Sequence, residues 1–149
     1  MRKYKVAILG KLPTKFDAPF EDNTWDIWAY NYHKDAWRLP RITTWFDLHK
    51  DKPNPKAQIT RDNFPFIACE QLVGGTYFNN TASYLIAFAI LKRYKEIALY
   101  GMRFKSENEE RTIQRQNVRE LLFFAKGRKI KVSAPSDSII LQAYPRYGA

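Results

Sequence analysis

Apolar residues fall along this chain in short runs, separated by stretches that carry glycine, proline or charge, and the run lengths predict the elements. Lys3–Leu9 (KYKVAIL) is an apolar run that stops at Gly10 and predicts a buried first strand. Thr24–Tyr30 (TWDIWAY), closing at Asn31, predicts a second, and Ile42–Leu48 (ITTWFDL), rich in β-branched and aromatic residues, a third. The segment Asp17–Asn23 is a loop by its Pro, Asp and Asn content, and Tyr32–Leu39 is short and mixed, with Pro40 closing it. After the charged proline loop His49–Lys56, Ala57–Asn63 reads as a helical turn. Phe64–Glu70 reads as a fourth strand, or an extended segment, that carries Pro65.

The most organised stretch is Gly74–Phe104. Two glycines make a turn, Asn79, Asn80 and Thr81 offer a polar helix start, and Ala82–Leu91 is a nearly all-apolar helix. Lys92–Lys95 break it, and Glu96–Tyr100 form a short apolar strand ending at Gly101. A polar loop leads into an amphipathic helix, Glu109–Lys126, with Ile113, Val118, Leu121, Leu122 and Ala125 near one face. Glu109 and Glu110 suit the positive end of its dipole, Lys126 and Arg128 the negative end, and Gly127 a stop. Lys129–Val132 predicts a last strand, Ala134–Pro135–Ser136 breaks it, and residues 139–149 form an aromatic tail. Strands alternating with helical patterns predict a single α/β domain over residues 1–149, a Rossmann-like three-layer fold with a mainly parallel sheet. Ligands of such sheets sit at the carboxyl ends of the strands. That rule selects the loop after Leu9, Asn31, the Asp47–Leu48–His49 end and the loop after Gly101.

Composition narrows the partner. The 149 residues are 45% hydrophobic and 15% aromatic, enough for a sizeable core, and carry a net charge of +10. That charge favours an acidic partner (a nucleotide, a sugar nucleotide, nucleic acid or a membrane surface), the plainer reading being solubility alone. Cys69 is the only cysteine, which excludes an intramolecular disulfide and a cysteine-based zinc site; it reads as a buried strand thiol. The run Val6–Leu9 is too short for a signal peptide, and Tyr84–Leu91 falls well short of the ~20 apolar residues of a membrane span. The expectation is a cytoplasmic protein with no membrane contact, no metal and no cofactor.

Several residues carry candidate chemistry. Gly10–Lys11–Leu12–Pro13–Thr14–Lys15 occupies the place of a first phosphate loop without matching a GxGxxG or Walker pattern; Lys11 and Lys15 are cations for an anion there. Asn79, Asn80 and Thr81 stand at a helix N-terminus, where free N–H groups and the dipole favour an anion, and equally serve as ordinary caps. Arg103 follows the fifth strand. Arg111, Arg115 and Arg119 recur at four-residue spacing and, with Gln114, suit a phosphate or carboxylate; for Arg111 and Arg119 a solvated face paired with Glu107, Glu110 and Glu120 is favoured. His49 and His33 are the only histidines and the only candidate bases; neither has metal-motif spacing, and a surface histidine is the plainer reading of His49. The tryptophans read as core. Tyr144, Arg146 and Tyr147 fit nucleic acid, which is not the favoured partner.

Four segments carry a family resemblance: VAILGKLPT, DAPFEDNTWDIWAYN, TTWFDLH and NNTASYLIAFAILKRYKEIALYGMRF, with the helix IQRQNVRELLFFAKGRKIKV agreeing. The chain resembles, over nearly its whole length, a family of small phage-encoded proteins similar to the Rossmann-like bacterial sialyltransferase and methanopterin-pyrophosphokinase-like group. The resemblance implies a nucleotide-sugar type of site at Gly10, Asn31, Thr81 and Gly101, and, from the Gln-Arg pair of the phage relatives, Gln114 and Arg115. Two positions depart: Lys11 replaces an asparagine and Arg103 an aspartate, which makes the implied pocket more positive, while the sialyltransferase catalytic histidine has no recognisable counterpart. The ligand set expected is therefore Gly10, Lys11, Thr14, Asn31, Asn80, Thr81, Gly101, Arg103, Gln114 and Arg115. The function expected is a phage protein that binds an anionic nucleotide-derived small molecule and sequesters it, for example a host immune signal of the cyclic-nucleotide or ADP-ribose type. The alternatives are a small glycosyltransferase or phosphotransferase with His49 or His33 as base, and a nucleic-acid or host-protein binder. A homo-oligomer docked through the aromatic tail is a further expectation.

Overall fold

A computed structural model describes residues 2–76, 78–104, 108–143 and 145–148; Glu107 and Tyr144 lie outside the described residues. Six strands form one sheet: β1 Lys5–Leu9, β2 Trp25–Tyr30, β3 Thr44–Asp47, β4 Ile59–Thr60, β5 Glu96–Tyr100 and β6 Lys131–Ser133, in the order β4-β3-β2-β1-β5-β6. Every neighbouring pair is parallel. Three helices complete it: α1 Phe66–Val73, α2 Thr81–Leu91 and α3 Glu109–Gly127. The sequence explains why β1 is central. Val6, Ala7, Ile8 and Leu9 are all fully buried, so both faces of this strand are covered, as an unbroken apolar run requires.

The two faces are covered differently. Val6, Ile8, Trp28, Phe46, Ile97 and Leu99 belong to one core cluster with the apolar residues of α2 and α3 and with Cys69 of α1. Trp28 packs against Phe46 and Phe88 at ring distances of 5.0 and 5.5 Å, filling the space under α2. On the other face, Ala7, Leu9, Ile27 and Ala98 are covered by Phe16, Ala18, Phe20, Leu39 and Ile42. Those residues come from connections that carry only the 3-10 turns Pro13–Asp17 and Ala36–Arg38. The α/β domain and its parallel sheet are as the sequence predicts, but among the described residues no α-helix forms a layer on this second face. Pro13, Pro19 and Pro40 punctuate the two connections, and the alanines leave room for irregular chain to lie close.

Lys15 fastens that cover. It is 1% exposed, and its ammonium donates to Asp35 and, at 3.2 Å, to His33 Nδ1. The two turns are thus tied together by a buried cation with partners on both sides, which satisfies the charge it buries.

Phe64–Glu70 is not a strand. A helix begins at Phe66 with Pro65 as its N-cap residue, where a missing N–H costs nothing, and Gly74 ends it at a φ of 80° with its N–H bonded to the Glu70 carbonyl. Phe66, Cys69, Leu72 and Val73 then recur on one helical face of the core. Cys69 is accordingly a helix thiol, fully buried, and burial followed by the nearby Glu70 carboxylate pushes it up to about 12. The helical turn expected at 57–63 is instead the edge strand β4, paired to β3 through Phe46–Ile59 and Asp47–Thr60.

Candidate functional site

The strand order reverses beside β1: β2 lies on one side of it and β5 on the other, so the carboxyl ends of β1 and β5 frame the switch point of the sheet. Gly10 and Gly101 occupy those ends and touch. A Cβ on Gly10 would stand 2.5 Å from the Gly101 carbonyl oxygen, and one on Gly101, whose φ is 72°, 2.5 Å from the Gly10 carbonyl oxygen. Gly10 N–H donates to Tyr100 O (2.8 Å), Leu12 N–H to Gly101 O (3.0 Å), and Gly101 N–H to Thr14 Oγ1 (2.8 Å). The loop after β1 therefore turns its amides onto the end of β5. In a phosphate loop those amides would face a ligand, so here an anion must be met by side chains.

Those side chains surround a cavity of about 600 Å³ lined by Lys11, Leu12, Tyr30, Asn31, Gly101, Met102, Arg103, Phe104 and Arg111. Lys11 comes from the loop after β1, Tyr30 and Asn31 from the end of β2, Arg103 and Phe104 from the loop after β5, and Arg111 from the first turn of α3. Among the described residues no carboxylate lines it. Arg103 is half-exposed and leans on Asp137, with Nε and Oδ2 3.6 Å apart. The Tyr30 hydroxyl is raised above its ordinary range by burial, against the opposing pull of Arg111, so it stays a neutral donor. Asn31 and Phe104 both have positive φ, 64° and 58°. Asn31 is held there by its N–H to Phe46 O (2.8 Å) and by Trp45 Nε1, which donates to the Asn31 carbonyl at 2.6 Å. Its Oδ1 is buried without a hydrogen-bond partner among the described residues. Phe104 is held by Arg115, whose guanidinium donates to the Phe104 carbonyl at 2.9 Å. Two constrained backbones on one cavity wall are the kind of local strain that surrounding structure maintains at binding sites.

The expected ligand residues divide into three groups. Lys11, Asn31, Gly101 and Arg103 meet at this cavity, with Gly10 directly beneath. Thr14 and Arg115 act on it from behind, through the Gly101 amide and the Phe104 carbonyl. Asn80 and Thr81 are elsewhere. They line a second cavity of about 560 Å³ with Leu48, Arg61, Phe66, Glu70 and Tyr84. Asn80 is the N-cap of α2: its Oδ1 accepts from Ser83 N–H at 3.0 Å and its amide donates to Ser83 Oγ at 2.9 Å. Gln114 lines neither cavity and lies along α3 beside Glu110, 3.4 Å away. Arg111, read as a solvated residue, and Tyr30, not singled out, are the two that sequence reasoning missed. The signal available for Arg111 was its place in the first turn of the helix that follows the β5 loop, and for Tyr30 its position beside Asn31.

The two histidines differ. His33 is 4% exposed and engaged at both ring nitrogens: Nδ1 accepts from Lys15, and Nε2 donates to the Tyr30 carbonyl at 2.9 Å. Burial, and then the Lys15 charge, lower its pKa and keep it neutral. It is a structural residue, which corrects its listing as a candidate base. His49 is exposed, and its Nδ1–H donates to the buried Asp47 Oδ1 at 2.7 Å. Burial alone would raise the Asp47 carboxyl, but the Asn54 and His49 amides and the His49 ring together hold it below its ordinary value. This orients His49 as an aspartate-backed imidazole at the end of β3, though not on the lining of either cavity.

Among the described residues no group of His, Cys, Asp and Glu could hold a metal ion, and no helix is long and apolar enough to cross a membrane. Set against known proteins, the chain finds no counterpart: no family model, no curated protein and no solved structure matches it.

Proposed function

We propose that the chain binds an anionic, nucleotide-derived small molecule in the switch-point cavity and holds it unchanged, as a protein that sequesters a phage host's immune signal would. One observation carries this reading: Lys11, Arg103 and Arg111 converge from three separate segments on a cavity of about 600 Å³ whose described lining includes Tyr30 and Phe104 and no carboxylate. The volume suits a ligand of nucleotide size. The guanidinium groups suit phosphate oxygens, and the aromatic rings suit a base. Holding is favoured over converting because His33 is engaged at both ring nitrogens and His49 is not on the lining. Calorimetric titration with mononucleotides, cyclic dinucleotides and ADP-ribose tests it. Micromolar or tighter binding of at least one, weakened tenfold or more by Arg111→Ala, is expected, with the ligand recovered intact. A folded protein that binds none of them refutes it.

The Asp47–His49 pair favours a second reading, a transferase acting on a nucleotide-sugar-type substrate with His49 Nε2 as base. Product formation lost in His49→Gln but kept in His33→Gln is the outcome that would select it over a binder.

A further inference from the structure

Parallel strands place both helix-to-strand connections at the amino edge of the sheet, the end opposite the cavity, and this edge holds most of the protein's charge. Residues 2–5 carry three cations, residues 92–96 three cations and Glu96, and residues 126–131 four cations; with Asp26 beside them the sum is ten positive and two negative, or +8 of the net +10. Backbone bonds hold the three segments together. Lys95 N–H donates to Tyr4 O at 2.7 Å, Lys131 N–H to Lys95 O at 3.0 Å, and the Arg2 guanidinium to Lys92 O. Both acids are already engaged, Asp26 by Lys3 and Tyr94 and Glu96 by Lys131. Lys92, Arg93 and Lys95 are exposed, as are Lys126, Arg128 and Lys129.

One or two cations at a helix C-terminus answer the negative end of its dipole. That does not account for residues 2–5, which belong to no helix. Nor does it account for the backbone: Arg93 and Lys129, one in each connection, have φ of 65° and 67°. Glycine or asparagine takes that conformation at less cost, so each turn keeps a cation where the backbone favours another residue. Aromatic rings lie among the charges. Tyr4, 47% exposed, has Arg2 and Lys95 at 5.5 and 5.6 Å from its ring, and Phe123, 46% exposed, has Lys126 at 5.1 Å.

We infer that this amino edge is a docking surface for single-stranded nucleic acid, with the phosphates on the cations of the three segments and bases stacking on Tyr4 and Phe123. Cations interleaved with exposed rings are what a strand with alternating phosphates and π-faces requires. An anionic membrane would be met by the charge but leaves the rings unexplained, since no amphipathic apolar face accompanies them.

Fluorescence anisotropy of a labelled 20-nucleotide single strand tests the inference. Binding is expected at low salt, with affinity falling as salt rises. The double variant Arg93→Gly/Lys129→Gly removes two charges while relaxing the backbone, so it stays folded; it is expected to bind roughly tenfold more weakly, with the slope of log affinity against log salt reduced by about 1.4. Tyr4→Ala is expected to weaken binding about tenfold at every salt concentration. Arg111→Ala, at the other end of the sheet, is expected to leave it unchanged, so the result is independent of ligand binding in the cavity. The inference is overturned if no oligonucleotide binds, if the double glycine variant binds as the parent does, if Arg111→Ala abolishes binding, or if phosphatidylserine vesicles bind where the oligonucleotide does not.

Discussion

Replacing Gly101 with alanine is the sharpest probe of the switch point, because the structure sets the size of its effect. The residue has a φ of 72°, and an alanine there costs about 1 kcal/mol for the left-handed backbone alone. Its Cβ would also stand 2.5 Å from the oxygen and 2.8 Å from the carbon of the Gly10 carbonyl. Those are backbone atoms of a central strand end and cannot swing aside, so the two chains must separate, at an overpacking cost of ~1–3 kcal/mol. The total is about 3 kcal/mol, which for a chain of this size lowers Tm by roughly 6–12 °C. Urea denaturation followed by circular dichroism measures it. Gly127→Ala is the control: nothing lies within 4 Å of its Cβ, and alanine there is expected to raise stability by up to ~1 kcal/mol. Because the Gly10 and Gly101 contacts are reciprocal, the double alanine variant is expected to cost less than the sum of the singles by more than ~1 kcal/mol. A Gly101→Ala protein within about 0.5 kcal/mol of its parent, or strict additivity in the cycle, would show that the close approach does not constrain the fold.

Three further outcomes are expected. His33 has a folded pKa below the ordinary 6.5, so its contribution is complete above that value and declines as pH falls through it; stability measured from pH 7.5 down to 5.5 should drop, and His33→Asn should flatten that part of the profile. Asn80→Ala removes the N-cap of α2 and is expected to cost about 1 kcal/mol in denaturation, whereas Thr81→Ala, beyond the cap, should cost less than about half of that. Arg93→Gly and Lys129→Gly should each raise stability by roughly 0.5–1 kcal/mol, since both residues have positive φ; a loss of stability in either would mean that the side chain, not the backbone, decides the turn.

Local pattern was enough for much of the framework. Glu96–Tyr100 has the same bounds in sequence and structure because an apolar run between a basic break and a glycine leaves little freedom, and α3 shows a long amphipathic repeat. Phe64–Glu70 was misread because a short run of aromatic and apolar residues has no period of its own; what decides it is Gly74, four residues further on, which completes a helical C-terminus. A two-residue edge strand such as β4 has no sequence signature, being defined by its neighbour. The site was legible where it follows the ends of strands, at Lys11, Asn31, Gly101 and Arg103. It was not legible where separate helices decide the outcome: Asn80 and Thr81 start α2 over a different cavity, and Arg111 reaches the first one only because α3 begins beside the β5 loop.

The unequal covering of the sheet has a consequence for how the protein opens. Three helices seal one face into a single apolar cluster, while the other is closed by two 3-10 turns tied through Lys15. In hydrogen exchange the turn amides should therefore exchange well before those of β1, β5 and α2, as a separate cooperative unit. That unit includes Leu12 and abuts Asn31, so one wall of the cavity is able to part and close while the helical side stays protected, giving a large ligand a way in that does not require the core to unfold.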